Sequence, residues 1–345
     1  MKEIKKLLEK GLIREAFEYA KKQSYPENLF MEGVVYYHRG DILKAKEKLE
    51  RYLSVNPENS EAYYYLGNIY LEMNNPEKAV KQLSKAVKLK KKGEYYNDLG
   101  YSYFLLGDYK KALQMYDRAT QINPNLSVTY YNKGIIYRKL KNYKEAIKNY
   151  SRAIALKNDE PDYYYNLGIV YRLTGQVEKA VQTYKKAISL NPENENYYNN
   201  LGNAYYDMGD LDRAVECYKK AVEINPTYFI GWQNLGNTYL DKEMFKQSVK
   251  AFKKAVKLNK NCSECYIDMG IAFKEMGKYE EAVQCYKKAS QINPEIKGLS
   301  LYNTACIYAI QGKNKKAKEL LQKAFEIDKT LIEHAKTDPE IKHLV

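Results

Sequence analysis

The sequence lacks the residue patterns that most catalytic and cofactor sites require. It contains three histidines, His38, His334 and His343, and none of them has a cysteine or serine partner at a recurring distance. The segment Gly277-Lys278 lacks the upstream glycine and the downstream hydroxyl of a phosphate-binding loop. A nucleophile needs a positioned base, and the acidic residues form no recurring pair. The sequence therefore predicts a protein that is not an enzyme and that binds no cofactor.

Cysteine is also scarce, with five residues confined to the stretch between Cys217 and Cys306. An odd number without regular spacing argues against a disulfide framework and favours a reducing compartment. Cys262 and Cys265 form a single Cys-x-x-Cys pair, whereas a structural zinc site needs four ligands. We therefore expect free thiols and no metal site.

Long apolar runs are absent as well. No stretch approaches the ~18 apolar residues of a membrane helix. Residues 1–6 mix acidic and basic side chains in an amphipathic pattern, unlike a signal peptide with its apolar centre. The sequence predicts a cytoplasmic protein with no membrane partner.

A glycine recurs every 34 residues along nearly the whole chain, with one step of 33. An aromatic residue follows it after three positions, a small residue (alanine in all but one repeat) after twelve, and a large apolar residue four positions later. Apolar residues three and four apart form one face of a helix, so each repeat predicts two helices. The glycines are Gly33, Gly67, Gly100, Gly134, Gly168, Gly202, Gly236 and Gly270.

Turn residues mark where these helices end. The first helix of a repeat runs to a glycine, as at Gly40-Asp41, where a left-handed C-cap is favoured. The second helix ends before Asn-Pro, as at Asn56-Pro57, because proline excludes helix from the residue before it. The repeated glycine and alanine are small where the two helices cross. No strand-like alternation competes with this pattern, which predicts an all-α fold.

The signature residues resemble the tetratricopeptide repeat (TPR) family. Tyr164-Tyr165-Asn166-Leu167-Gly168 with Tyr171, Ala180, Tyr184, Ala187 and Pro192 matches its consensus. The resemblance implies a right-handed α-solenoid, or superhelix, of nine to ten helix-turn-helix repeats. Nine repeats would occupy 26–59, 60–92, 93–126, 127–160, 161–194, 195–228, 229–262, 263–296 and 297–328.

The two ends of the chain depart from the repeat pattern. Residues 1–25 are expected to form a degenerate helical hairpin, a partial repeat. Residues 329–345 are expected to form a capping helix that covers the last apolar face of the solenoid. In this cap, Asp338-Pro339 has the pattern of an N-cap followed by proline at the first helical position.

The resemblance also implies that the first helices line a concave groove, with positions 2, 5, 6, 9, 12 and 13 of each repeat facing it. Position 6 is asparagine in four consecutive repeats, and such a ladder could hold the backbone of an extended peptide, because an amide both donates and accepts. The ladder resembles that of the TPR superhelix of peptide N-acetylglucosamine transferase, although no transferase domain fits in this chain. Asparagine at this position is also simply common in the family. The predicted peptide-binding residues are Asn132, Asn166, Asn200, Asn234, Asn303, Asp98, Asp268, Tyr64, Tyr131, Tyr165, Arg138, Arg172, Asn203 and Asn237.

Two groove features bear on the partner. Arg138 and Arg172 could meet a carboxylate of the ligand. The clamp by which some TPR domains hold acidic chaperone C-termini is not predicted, because Asn199, Glu264 and Asp268 stand where basic residues belong.

The net charge of +14 is unevenly distributed along the chain, and much of it comes from lysines on the second helices. The chain contains 49 lysines and 8 arginines. Arginine is better suited than lysine to contacts with phosphates and bases, so the composition favours an acidic protein partner over nucleic acid. The sequence thus predicts a non-enzymatic scaffold or adaptor that binds a protein or peptide in its groove. One alternative is a structural repeat protein that self-associates into homo-oligomers, and a weaker one is a basic nucleic-acid binder.

Overall fold

The computed structural model describes residues 1–345 and is all-α, as the sequence predicts. Helices alternate with short turns in a helix-turn-helix solenoid that contains no strands. The helices are α1 (Lys2–Glu9), α2 (Ile13–Lys21), α3 (Glu27–Arg39), α4 (Ile42–Val55), α5 (Ser60–Glu72), α6 (Pro76–Leu89), α7 (Gly93–Leu105), α8 (Tyr109–Ile122), α9 (Ser127–Lys139), α10 (Tyr143–Leu156), α11 (Pro161–Leu173), α12 (Val177–Leu190), α13 (Glu195–Asp207), α14 (Leu211–Ile224), α15 (Phe229–Asp241), α16 (Phe245–Leu258), α17 (Ser263–Glu275), α18 (Tyr279–Ile292), α19 (Lys297–Ile310), α20 (Asn314–Ile327) and α21 (Thr330–Thr337). Short 3-10 turns span Pro294–Ile296 and Lys342–Leu344. None of the helices combines the length and the apolarity needed to cross a membrane.

The chain forms two compact units, Met1–Val170 and Tyr171–Val345. Within each unit, the two helices of a repeat pack as an antiparallel hairpin, and the second helix also packs on the first helix of the next repeat. Each unit therefore buries its apolar residues between neighbouring helices and has no single central core.

The predicted helix ends are confirmed. Gly40 and Gly107 close first helices with φ of 87° and 76°, a left-handed conformation that glycine adopts at little cost. Asn56 caps α4, and Asn123 caps α8, both with non-helical backbone before proline. Local sequence is therefore enough to define where these four helices end.

The repeated small residues lie where the helices of a hairpin cross. A Cβ atom on Gly100 would stand 2.7 Å from Cε1 of Tyr116, and one on Gly270 would stand 2.4 Å from Cε1 of Tyr286. Ala180 is fully buried at the corresponding crossing in its repeat. The large apolar residue of each second helix thus rests directly on the backbone of the first helix, so a larger residue at these glycines would overpack the crossing.

The expected helix start at Asp338-Pro339 is wrong. Helix α21 ends at Thr337, and Asp338 is its C-cap with extended backbone. The Asp338 carboxylate accepts a hydrogen bond from the backbone N–H of Glu340 at 2.9 Å and one from the hydroxyl of Tyr302 at 2.7 Å. These two bonds turn the segment back onto α19 and bury Ile341 completely.

Candidate functional site

The first helices of neighbouring repeats approach each other more closely than the second helices do. Direct contacts join α3 with α5, α5 with α7, α7 with α9, and α15 with α17, and no pair of second helices makes a contact of that extent. We call the surface formed by the first helices the inner face of each unit. All fourteen predicted peptide-binding residues lie on first helices, and all are half-buried.

In the first unit, a buried asparagine links two of the predicted residues. The Asn97 Oδ1 atom accepts hydrogen bonds from Thr129 Oγ1 at 2.9 Å and from Asn132 Nδ2 at 3.4 Å. Its own Nδ2 donates to Asp98 Oδ1 at 2.9 Å. Asn97 therefore fixes the orientations of Asn132 and Asp98 across neighbouring repeats.

Tyrosines surround this network. The Tyr64 ring stacks on Tyr95 with the ring centroids 4.5 Å apart, and its side chain interacts with the Asp98 carboxyl. Burial raises the pKa of the Asp98 carboxyl, although the Asn97, Tyr64 and Asn68 side chains partly counter the shift by bonding to it. The side chains that interact with the Asp98 carboxyl are thus all neutral.

The next repeats of the first unit bring Asn166 and Tyr131 together. Asn166 Nδ2 donates to the Tyr131 hydroxyl and to the backbone carbonyl of Asp162, both at 3.0 Å. Burial raises the pKa of Tyr165, and the nearby positive charge of Arg138 acts in the opposite direction. Arg138 Nε has no hydrogen-bond partner in the chain.

In the second unit, three asparagines form one hydrogen-bonded group. Asn234 Nδ2 donates to Asn199 Oδ1 at 3.0 Å and to Asn203 Oδ1 at 3.3 Å. The Tyr218 hydroxyl also donates to Asn203 Oδ1, at 2.7 Å. The neighbouring Asn237 Oδ1 is buried without a donor. The buried Asn199 plays the part that Asn97 plays in the first unit.

Two further predicted asparagines of the second unit take no part in that group. Asn200 Nδ2 donates to the backbone carbonyl of Asn196 at 3.0 Å. Asn303 lies on α19 and makes no side-chain hydrogen bond within the chain.

Arg172 meets a carboxylate that belongs to the chain itself. Its Nε lies 2.6 Å from Asp207 Oδ2. Asp207 and Asp241 are not among the predicted peptide-binding residues, although both stand at position 13 of their repeats. The recurrence of acidic residues at position 13 in consecutive repeats is the sequence signal that identifies them.

The expected free thiols at Cys262 and Cys265 are wrong, because these residues form a disulfide. Cys262 is the N-cap of α17, and its sulfur accepts a hydrogen bond from the backbone N–H of Cys265 at 3.1 Å. The helix start places the two Cα atoms 5.4 Å apart, a separation that a disulfide can bridge. The bonded pair offers no thiolate to a metal ion.

This pairing predicts the number of accessible thiols. Thiol titration of the unfolded, unreduced protein should detect only Cys217, Cys285 and Cys306, and a reductant should add Cys262 and Cys265. Five reactive thiols before reduction would contradict the disulfide.

Cys306, Asp338 and Glu340 bring potential metal ligands within 4.8 Å of one another. Lys274 Nζ already lies 2.6 Å from Glu340 Oε1. Burial raises the pKa of the Cys306 thiol, which disfavours the thiolate that a metal would need. The group is better suited to attaching the C-terminal segment to α17 and α19 than to binding a cation.

Comparisons with known proteins agree with this architecture. Family models described as tetratricopeptide repeat match residues 36–99, 93–126, 115–148, 196–228, 217–251, 263–296 and 300–331. A model described as TPR repeat matches residues 134–175 and 170–209. No curated protein matches the chain by sequence.

Several solved structures are similar to this chain. A tetratricopeptide repeat protein from Parabacteroides merdae is 20% identical, with 72% of this chain and 98% of that chain covered and a TM-score of 0.53. The Cut9-Hcn1 structure of the APC/C is 16% identical, with 90% and 59% covered and a TM-score of 0.51. MamA from Desulfovibrio magneticus RS-1 is 28% identical, with 49% and 96% covered and a TM-score of 0.46. Together with the repeat matches along the chain, the two-helix repeats show that this protein belongs to the tetratricopeptide repeat family of protein-interaction scaffolds.

Proposed function

We propose that the protein binds an extended peptide or protein segment on the inner faces of its repeats and serves as a scaffold or adaptor. The orientation of the position-6 amides carries this proposal. The Nδ2 atoms of Asn132, Asn166 and Asn234 donate to groups of the chain itself. Their Oδ1 atoms accept no hydrogen bond from the chain. Each of these repeats therefore presents a fixed acceptor.

A row of fixed acceptors suits the N–H groups of an extended backbone. One such hydrogen bond contributes about 0.5–1.5 kcal/mol net, so several together are needed for useful affinity. The internal hydrogen bonds already hold the amides in place, which lowers the entropy lost on binding. The half-buried rings of Tyr64, Tyr131 and Tyr165 add apolar surface with a polar tip on the inner face of the first unit.

Removing the amides tests the proposal. A ligand is first selected with the full chain from a library of displayed peptides, and its affinity is then measured by fluorescence polarisation. Single Asn132→Ala, Asn166→Ala, Asn200→Ala and Asn234→Ala variants should each weaken binding only several-fold, because each removes one or two bonds. The double variant on the unit that holds the peptide, either Asn132→Ala with Asn166→Ala or Asn200→Ala with Asn234→Ala, should weaken binding by about ten- to a hundredfold. Circular dichroism should remain unchanged.

The matched control lies on second helix α6, whose Lys81, Lys85 and Lys88 are exposed. Changing all three to glutamine should leave the affinity almost unchanged at physiological salt, and any loss should appear only at low salt, as slower association. If the lysine variant loses binding while the asparagine pairs retain it, the partner docks on the second helices and the proposal is wrong.

A further inference from the structure

In the second unit, α16 and the first helices around it carry charges of opposite sign. Second helix α16 carries basic residues and no acidic one, namely Lys246, Lys250, Lys253, Lys254 and Lys257. The inner face of α13, α15 and α17 carries acidic residues, namely Asp207, Asp241, Glu264, Asp268 and Glu275. This face is therefore negatively charged, although the chain as a whole has a net positive charge.

The cations on the same face are already paired. Arg172 Nε lies 2.6 Å from Asp207 Oδ2. Lys274 Nζ lies 2.6 Å from Glu340 Oε1 and 3.2 Å from Glu275 Oε1. No cation of this face remains to neutralise its other acidic residues.

Those other residues are Asp241, Glu264 and Asp268, and none of them forms a salt bridge. Asp241 Oδ2 accepts a hydrogen bond from the neutral Tyr206 hydroxyl at 2.6 Å. Asp268 is half-buried on α17 and accepts no hydrogen bond from the chain. Burial, together with the charges of Glu264 and Asp241, raises the pKa of Asp268 to about 6. The face therefore holds negative charge close together without compensation.

We propose that the inner face of the second unit binds a basic peptide, a segment whose lysine or arginine side chains reach Asp241, Glu264 and Asp268. This inference rests on the proposed function and names the class of partner. The acceptor atom Asn234 Oδ1 lies on the same face and suits a ligand that is rich in hydrogen-bond donors. A cation at these carboxylates would form charge-assisted hydrogen bonds, which are about twice as strong as neutral ones. This partner is positively charged, whereas the net charge of +14 of the chain suggests a negatively charged partner.

Three fluorescent peptides of equal length test the charge requirement with the full chain. One alternates lysine with serine, one alternates glutamate with serine, and one alternates glycine with serine. The net positive charge of the protein opposes nonspecific attraction of the lysine peptide. We expect the lysine peptide to bind at least about tenfold more tightly than the other two, as a charged hydrogen bond is worth more than a neutral one.

The matched variants remove two negative charges from different places. Asp241→Asn with Asp268→Asn removes them from the inner face with little change of shape. Asp212→Asn with Glu223→Gln removes them from second helix α14, where both side chains are exposed. The inner-face variant should weaken the lysine peptide at least about tenfold, and the α14 variant less than about twofold.

Three other outcomes would contradict either this inference or the proposed function. Equal weakening by both variants would show that only overall charge matters, and the inference fails. If the neutral or the acidic peptide binds best, and Asn234→Ala weakens it while the aspartate variant does not, the inference fails and the proposed function stands. If no variant of the inner face changes the affinity of any bound peptide, the proposed function fails for this unit as well.

Discussion

Replacing Phe252 with alanine should destabilise the second unit by about 3–5 kcal/mol, the usual cost of emptying a buried aromatic site. Phe252 is fully buried on α16, and its ring lies against Gly236, where a Cβ atom would stand only 2.7 Å away. The backbone of α15 cannot collapse easily into the space that the ring leaves. Urea unfolding followed by circular dichroism measures the loss.

Leu258 provides the control, because it belongs to the same helix but is 41% exposed. Leu258→Ala should cost less than about 1 kcal/mol, since much of the apolar surface of this side chain remains exposed to water in the folded state. Hydrogen exchange should accelerate mainly in α15 to α18 in the Phe252→Ala variant, because repeats contact only their neighbours. Equal losses from the two substitutions would show that Phe252 is not the centre of this crossing.

Replacing Asp268 with asparagine should stabilise the protein above about pH 7 by about 1–3 kcal/mol. The folded-state pKa of Asp268 is about 6, against an ordinary value of 3.8. The folded state therefore binds the proton more tightly than the unfolded state does. The wild-type protein accordingly loses stability as the pH rises from the ordinary value through about 6. Burial and the negative charges of Glu264 and Asp241 cause this loss, and the neutral asparagine avoids it.

Thermal melts of both proteins between about pH 3 and pH 8 measure this difference. The two curves should meet below about pH 4, where Asp268 is protonated in both states. Asp212→Asn serves as the control, because this exposed residue on α14 pairs with Lys242 and should give no gain at high pH. A destabilising Asp268→Asn substitution at pH 7 would mean that the carboxylate has a partner within the fold.

These two predictions bear on function in different ways. Phe252 supports the shape of the repeat, whereas Asp268 lowers stability on the face that we propose as the binding surface. Burying a carboxylate without a positively charged partner lowers the stability of the folded protein. A basic ligand would offset that cost by pairing with it.

Much of the fold follows from local sequence. The spacing of Gly236 and Phe252 determines a helical hairpin, because both residues belong to one repeat and their contact depends only on helix geometry. The turn at Gly40 and the stop before Pro57 are likewise encoded by one or two residues. The same spacing places the candidate residues on first helices, so it is enough to identify the inner face.

The details of the site depend on contacts between repeats. Asn234 is oriented by Asn199, which is 35 residues away, and Lys274 pairs with Glu340, which is 66 residues away. Sequence spacing does not specify which atom of an amide is used internally, because that choice depends on the neighbouring side chain in three dimensions.

The repeat pattern of the sequence by itself determined the helices, their ends and the surface on which binding is proposed, because these depend on periodicity and on turn residues. Only the tertiary structure decided that Cys262 and Cys265 are bonded, that Asp338 turns the chain back onto α19, and that Arg172 and Lys274 are already paired. Each of these outcomes depends on distances between particular atoms. Those distances are set by packing and capping geometry, so a pattern of residue types cannot supply them.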